Sequence, residues 1–181
     1  LSTRDGYRRN LAEAFKAFLK PAINGSVERI ISVGCGFGYE AQPLLRLFPE
    51  AQFLGIDTDE HLIEAAKSTN SDLFSADFQV SDARKLSSFN KTPWDIVILR
   101  NPNVLRPEAK WNTIIENSLK VLRKGGIIFI TTDTIHEMGE ITDLLNSLGD
   151  EIEIQPTIEN NFSNRGLGFQ DHFIIRATKK I

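Results

Sequence analysis

Three glycines alternate with other residues directly after an apolar run that favours a β-strand. Residues 30–33 form the run, and Gly34, Gly36 and Gly38 follow it. Glycine adopts backbone conformations that other residues avoid, and it lets the chain pass close to a ligand. A second apolar run ends at Asp57. In a βαβ unit, an acid at about this distance binds the two hydroxyls of a ribose. The spacing therefore indicates a nucleoside-binding site.

The glycine loop and Asp57 together resemble the cofactor site of class I S-adenosylmethionine-dependent methyltransferases. In that family the loop after the first strand is typically Gly-x-Gly-x-Gly, as it is here. Dinucleotide enzymes usually carry the longer Gly-x-Gly-x-x-Gly. Residues 122–126 also match the family's Leu-x-x-Gly-Gly element before the fifth strand, so the resemblance covers about residues 28–180. It implies S-adenosyl-L-methionine as the cofactor and methyl transfer as the reaction.

The resemblance also implies a set of cofactor-binding residues. Asp57 would accept hydrogen bonds from the ribose hydroxyls, and Asp82 would accept one from the adenine amino group. The segment at Leu99 would run beside the methionine amino group. The full expected set is Gly34, Cys35, Gly36, Gly38, Asp57, Thr58, Asp82, Ala83, Leu99 and Arg100. Asp57 and Asp82 have an alternative interpretation as helix caps. Cys35 fits packing better than a nucleophilic role, although a helix N-terminus would lower the pKa of its thiol.

No residue stands out as the catalytic group, and three are candidates. Asn101 begins the sequence Asn-Pro-Asn-Val, which resembles the Asn-Pro-Pro-aromatic motif of methyltransferases that modify amino groups in planar systems. It lacks the second proline and the aromatic that would stack on a base. Arg100 would pair with a substrate carboxylate or phosphate, or with a nearby Glu at the surface. His136 would act as a general base near the fifth strand.

Composition limits the class of protein. The 181 residues fit one domain, residues 1–181, led by a helical segment over residues 1–25. A net charge of −3 favours a small-molecule acceptor over nucleic acid, which stays an alternative. No apolar run approaches the roughly 20 residues of a membrane span, and no Cys/His cluster has metal-ligand spacing. With a single cysteine, the cytoplasm is the default expectation.

Two further classes of protein remain open at this point. The chain would be an NAD-dependent oxidoreductase if the glycine loop held a dinucleotide, which its short spacing opposes. It would be a non-catalytic nucleoside-binding module if exposed aromatics near Phe162 and Phe169 formed an interface with a partner. The loop that carries these aromatics, residues 160–169, would otherwise shape the acceptor pocket.

Apolar periodicity predicts an α/β fold that positions the site residues at the carboxyl ends of strands. We expect a mostly parallel seven-stranded sheet with helices on both faces and an antiparallel last strand, at the edge. Predicted strands cover 29–33, 52–56, 76–80, 94–99, 127–131, 151–158 and 171–178. Predicted helices cover 6–22, 39–48, 59–69, 108–122 and 136–148, with Gly125 and Gly126 stopping the fourth. Tyr7 would act as a lid over the cofactor, or simply pack in the core.

Overall fold

Strands and helices alternate along the chain as the sequence predicts. The computed structural model describes residues 3–88, 92–105, 110–155, 158–159 and 171–180. Within them the strands are β1 (Arg29–Val33), β2 (Gln52–Asp57), β3 (Ala76–Val80), β4 (Trp94–Arg100), β5 (Leu122–Thr132), β6 (Ile152–Ile154), β7 (Ile158–Glu159) and β8 (Phe173–Lys179). The α-helices are α1 (Thr3–Ala14), α2 (Ala41–Leu47), α3 (Glu60–Thr69), α4 (Trp111–Val121) and α5 (Ile135–Ser147).

All these strands join one sheet in the order β3-β2-β1-β4-β5-β8-β6. Neighbours among β1 to β5 pair in parallel, whereas β8 is antiparallel to β5. Both β6 and β7 pair with β8 on the side away from β5, so together they fill one position. The sheet therefore has the seven predicted positions. The antiparallel strand lies one position in from the edge rather than at it, because β6 and β7 cover its outer side.

Helices cover both faces of the sheet, and alternate residues of each strand point to opposite faces. On one face, α1, α2 and α3 pack against Ile96, Ile98 and Phe129. On the other face, α4 and α5 pack against Val97, Leu99 and their neighbours. Six consecutive residues of β4 are buried, as expected for the central strand of a doubly covered sheet.

The leading segment is a layer of the core. It continues from α1 through a π-helical turn (Phe15–Leu19) and a short 3₁₀ turn (Lys20–Ala22). Phe15 and Leu19 are fully buried, and the Phe15 ring lies 5.4 Å from that of Phe129. Core packing therefore explains the apolar spacing of this helix.

The fourth helix ends within one residue of its predicted bound, but the two glycines are not what stops it. The fourth helix stops at Val121, before the two glycines, because Leu122 already adopts an extended conformation and begins β5. Leu122 is buried, and the next side chain, Arg123, forms an ion pair with Asp95. The glycine stop is thus wrong as an explanation for this helix end.

Candidate functional site

The glycine loop has a backbone that only glycine adopts without strain. Gly34, Gly36 and Gly38 have φ angles of 68°, 51° and 64°, all in the left-handed region. The amide groups of Gly34 and Cys35 both donate to the carbonyl of Ile56, at 2.8 and 3.0 Å. These bonds fasten the loop to the end of β2, so the loop and Asp57 share one edge of the sheet.

The Asp57 carboxylate closes this loop from the side of β2. Its Oδ2 accepts from the amide of Gly36 at 3.0 Å, and its Oδ1 accepts from the amide of Asp59 at 3.0 Å. Asp59, not Asp57, caps α3, because its carboxylate accepts from the amides of His61 and Leu62. Each carboxylate oxygen has a second lone pair, so Asp57 retains acceptor capacity toward a ligand.

A cleft of about 450 Å³ lies at the carboxyl ends of β1 to β4. This volume falls within the usual range for small-molecule sites. Seven residues expected from the sequence line it: Gly34, Asp57, Thr58, Asp82, Ala83, Arg100 and Asn101. The other lining residues are Val33, Ile56, Ser81, Arg84, Trp111 and Ile114. The structure therefore brings together residues from four strand ends that lie far apart in the sequence.

Five of the expected residues do not line the cleft. Gly36 and Gly38 shape the loop behind it, and the Leu99 side chain is fully buried in the sheet. His136 is exposed on the first turn of α5. Cys35 is buried, and this burial raises the pKa of its thiol. The helix after the loop begins only at Ala41, so no helix N-terminus offsets this effect.

Asp82 is held by Arg84 in a close ion pair. The Arg84 Nε lies 2.8 Å from both carboxylate oxygens, and the Arg84 backbone amide also donates to Asp82 Oδ1, at 3.0 Å. Hydrogen bonding to Arg84 lowers the pKa of Asp82 to about 2. The backbone contact is the expected cap of the short helix Ala83–Ser88. An adenine amino group would share this carboxylate with Arg84.

The Arg100 guanidinium is enclosed by two carboxylates. Its Nε and Nη2 donate to Asp171 at 3.2 and 2.9 Å, and its Nη1 donates to Glu40 at 3.2 Å. The three side chains are 13%, 5% and 1% exposed, respectively. An ion pair with a Glu was one of the two sequence interpretations, but the pair is buried rather than at the surface, and a second acid completes it.

Two further elements reach this buried ion cluster. Glu40 accepts a hydrogen bond of 2.5 Å from Ser32 in β1, and burial raises the pKa of Glu40 to about 7. Tyr7 of α1 donates to Asp171 at 3.0 Å, and its ring lies 4.8 Å from the Arg100 guanidinium carbon. The cluster thereby joins α1, β1, β4 and Asp171, two residues before β8, next to the cleft.

Asn101 carries a buried acceptor with no partner among the described residues. Its backbone has a left-handed φ of 48°, and its backbone N–H donates to the Thr131 carbonyl at 2.9 Å. Its Nδ2 donates to Asp171 at 3.3 Å. Because a carboxylate only accepts, this contact fixes the side-chain orientation and leaves Oδ1 as the atom without a partner.

Sequence reasoning missed three residues that shape the site. Trp111, the first residue of α4, lines the cleft. Glu40 and Asp171 were not considered at all. Asp171 had a usable signal: it precedes an antiparallel strand, whose start lies at the carboxyl edge of the parallel strands. The residues near Phe162 and Phe169 and the loop 160–169 lie outside the described residues.

The chain matches known methyltransferases. A family model described as "Methyltransferase domain" matches residues 30–126, more than half of the chain. A search of curated proteins found no match. Solved structures match the fold over nearly the whole chain.

Three of these structures illustrate the variety of methyltransferases that share this fold. Magnesium protoporphyrin IX methyltransferase ChlM from Synechocystis PCC 6803, with bound SAM, has 16% identity and a TM-score of 0.72, covering 97% of this chain and 80% of its own. N-methyltransferase NodS from Bradyrhizobium japonicum WM9 has 16% identity and a TM-score of 0.69, with 98% of each chain covered. An rRNA methylase from Streptococcus thermophilus has 16% identity and a TM-score of 0.65, covering 97% and 95%.

The family model decides for a methyltransferase domain over a dinucleotide-dependent oxidoreductase. No helix among the described residues is long and apolar enough to cross a membrane. The chain belongs to the methyltransferase domain family and is a class I methyltransferase that uses S-adenosyl-L-methionine.

Proposed function

We propose that the protein methylates a small molecule and that the cleft at the ends of β1 to β4 holds the cofactor. The observation that carries this proposal is the placement of Asp57. Its carboxylate lies at the cleft beside the glycine loop, fixed by two backbone amides, and keeps lone pairs for two ribose hydroxyls. A Cβ at Gly34 would project to within 3.2 Å of Trp111, so a larger residue would narrow the cleft.

The remaining contacts follow from the order of the strands. Asp82 and the Ala83 amide lie at the end of β3 and would hold the adenine. The carbonyls at the end of β4, near Leu99 and Arg100, would accept from the methionine ammonium. The cofactor supplies a methyl group already activated on a sulfonium. The protein's share of the reaction is to bind, orient and exclude water, so it needs no strong catalytic acid or base.

Charge pairing around the cleft favours an acceptor without phosphate groups. The two arginines that line the cleft are both engaged by carboxylates: Arg84 by Asp82, and Arg100 by Asp171 and Glu40. A nucleic-acid backbone needs cations that can pair with phosphate. The net charge of −3 agrees with this argument. Names of similar structures include both a porphyrin and an rRNA substrate, so fold likeness does not choose between them.

Asn101 is the residue that we propose to meet the acceptor. Its Oδ1 is a buried acceptor without a partner among the described residues, at the β4 end of the cleft. Leaving such a group unpaired is costly, and a hydrogen-bond donor on the substrate would satisfy it. The methyl-receiving group is therefore an amine or hydroxyl that donates to Asn101 before transfer.

Transfer of a labelled methyl group tests the acceptor class. The protein is incubated with methyl-labelled S-adenosylmethionine and either a small-metabolite extract or total RNA from the same cells. We expect label in the small-metabolite fraction, whereas label confined to RNA would contradict the proposal.

The same assay tests Asn101 once an acceptor is found. Asn101→Ala should lower kcat/KM for transfer by roughly 10- to 100-fold, the loss of one or two hydrogen bonds to the reacting group. Affinity for S-adenosylhomocysteine should stay within about twofold. Asn103→Ala is the matched control, because Asn103 is exposed two residues away. Equal activity of the two variants would show that Asn101 does not contact the acceptor.

A further inference from the structure

We propose that a second cavity, between α1, α2 and the end of α3, binds a small oxyanion that carries hydroxyl groups, such as a sugar phosphate. The cavity has a volume of about 620 Å³, which lies within the usual range for small-molecule sites. Among the described residues, none lines both this cavity and the cleft at the strand ends. Binding in the cavity is therefore independent of the proposed cofactor site.

Three helices form most of the cavity wall. Residues 5, 8, 9 and 12 of α1 line it, and this spacing places them on one face of the helix. The second helix contributes Arg46, and the end of α3 contributes Thr69. Side chains on helices have fixed positions, so the cavity is a formed site that needs no rearrangement of the chain.

Arg8 is a fixed cation at the wall of this cavity. The residue is only 8% exposed, and its Nη2 donates to the Thr69 carbonyl at 3.3 Å and to Asn70 Oδ1 at 2.8 Å. The buried Asn70 is itself held in place, because its Nδ2 donates to the carbonyls of Ala66 and Gly38. The guanidinium is thus positioned before a ligand arrives, which lowers the entropic cost of binding.

Two exposed arginines line the same cavity. Arg9 lies on α1 and Arg46 on α2, and neither forms an ion pair within the part of the chain that the structure describes. The planar fork of each guanidinium matches the geometry of a phosphate or a carboxylate. Three arginines therefore meet in one cavity of a chain whose net charge is −3.

Two aspartates restrict the kind of anion that fits. Asp5 and Asp72 also line the cavity. Their carboxylates repel a polyanion such as a nucleic-acid backbone, but they accept hydrogen bonds from hydroxyl groups. A ligand with one oxyanion and several hydroxyls satisfies both the arginines and the aspartates. A sugar phosphate and a sugar carboxylate share this chemistry.

Calorimetric titration with ribose 5-phosphate, inorganic phosphate and gluconate tests the cavity. Ribose 5-phosphate should bind with a Kd below about 10 mM, at least about threefold more tightly than inorganic phosphate, because its hydroxyls add hydrogen bonds. Tighter binding of gluconate would support the site and identify its oxyanion as a carboxylate. Binding of neither sugar derivative would overturn the inference.

A pair of double variants with equal net charge locates the binding. Arg9→Gln/Arg46→Gln should weaken ribose 5-phosphate binding by at least about tenfold, and both positions are exposed, so the fold should stay intact. Lys16→Gln/Lys124→Gln removes the same charge at exposed residues outside the cavity and should change the affinity by less than about twofold. Equal losses in the two double variants would overturn the inference, because net charge alone would then attract the anion.

Two competing ligands separate this cavity from other sites. Saturating S-adenosylhomocysteine should leave the affinity for ribose 5-phosphate unchanged, whereas competition would place the sugar in the cofactor cleft and overturn the inference. Tighter binding of a short single-stranded RNA, lost in Arg9→Gln/Arg46→Gln, would also overturn it and assign the arginines to a nucleic-acid backbone. If S-adenosylhomocysteine itself does not bind, the proposed function fails, while the sugar phosphate titration still decides on the cavity.

Discussion

At the scale of single residues, positive φ angles decide which positions of the glycine loop accept a side chain. Gly36 and Gly38 both have left-handed backbones, but their surroundings differ. A Cβ at Gly36 would meet nothing within 4 Å, whereas one at Gly38 would lie 2.4 Å from Phe78 Cε1. Phe78 is buried and packs against Phe53, so it has little room to move.

This difference predicts unequal costs for two equivalent substitutions. Gly36→Ala should lower the free energy of unfolding by about 1–2 kcal/mol, the cost of a left-handed alanine. Gly38→Ala adds overpacking against Phe78 and should cost about 2–5 kcal/mol in total. Urea denaturation of the two variants measures both values. Equal losses would show that Phe78 does not confine this position.

The glycine pattern and Asp57 could be predicted because their role is written in local sequence: a strand, a tight loop and an acid. Arg100 was harder. Its residue type allowed both a substrate contact and an ion pair. Only the structure shows that all three guanidinium nitrogens donate to Asp171 or Glu40. Asp171 is 71 residues away, so nothing in the sequence around Arg100 reveals the contact; its only signal is its place before the antiparallel strand.

At the scale of elements, Glu40 connects three of them. It follows the glycine loop, accepts from Ser32 in β1 and pairs with Arg100 at the end of β4. Burial raises its pKa from 4.5 to about 7, and the charges of Asp171 and Asp57 add to this rise. Between these pH values the folded protein binds a proton that the unfolded chain releases.

The raised pKa of Glu40 determines the sign and the size of its effect on the pH dependence of stability. The contribution of Glu40 is fully present below about pH 4.5 and is lost as pH rises through about 7. A shift of this size corresponds to about 3–4 kcal/mol in full, part of which is already lost by pH 4.5. Between pH 4.5 and pH 8, wild-type protein should therefore lose about 2–3 kcal/mol more unfolding free energy than Glu40→Gln.

Urea denaturation at these two pH values checks this expectation. Glu64→Gln is the control, because Glu64 is exposed on α3, and it should follow the wild-type dependence. Parallel curves for wild type and Glu40→Gln would show that Glu40 titrates at an ordinary pKa.

Element bounds were predictable where apolar runs are short and end at glycine or polar residues. Strands β1 and β3 have the predicted bounds, 29–33 and 76–80. The start of β5 was not predictable: it begins at Leu122, five residues before the predicted 127, because Leu122 is extended and packs in the core, so the junction precedes the two glycines. Packing of one leucine outweighs the local preference there.

At the scale of the whole molecule, the site exists because five parallel strands point their carboxyl ends the same way. In open α/β sheets, ligands bind outside these ends, at the crevice where strand order reverses. Here the reversal lies between β1 and β4, and the cleft lies there. The parallel sheet could be predicted from the alternation of strands and helices. The place of β8 inside the edge could not, because two short strands pair with its outer side.

Calorimetric titration with S-adenosylhomocysteine tests the central claim, that this cleft binds the cofactor through Asp57. Asp57→Ala should weaken binding by at least about tenfold, since it removes charge-assisted hydrogen bonds. Asp59→Ala is the matched control: it removes the cap of α3 and should lower the melting temperature, yet leave the affinity within about twofold. Wild-type affinity in Asp57→Ala would contradict the account.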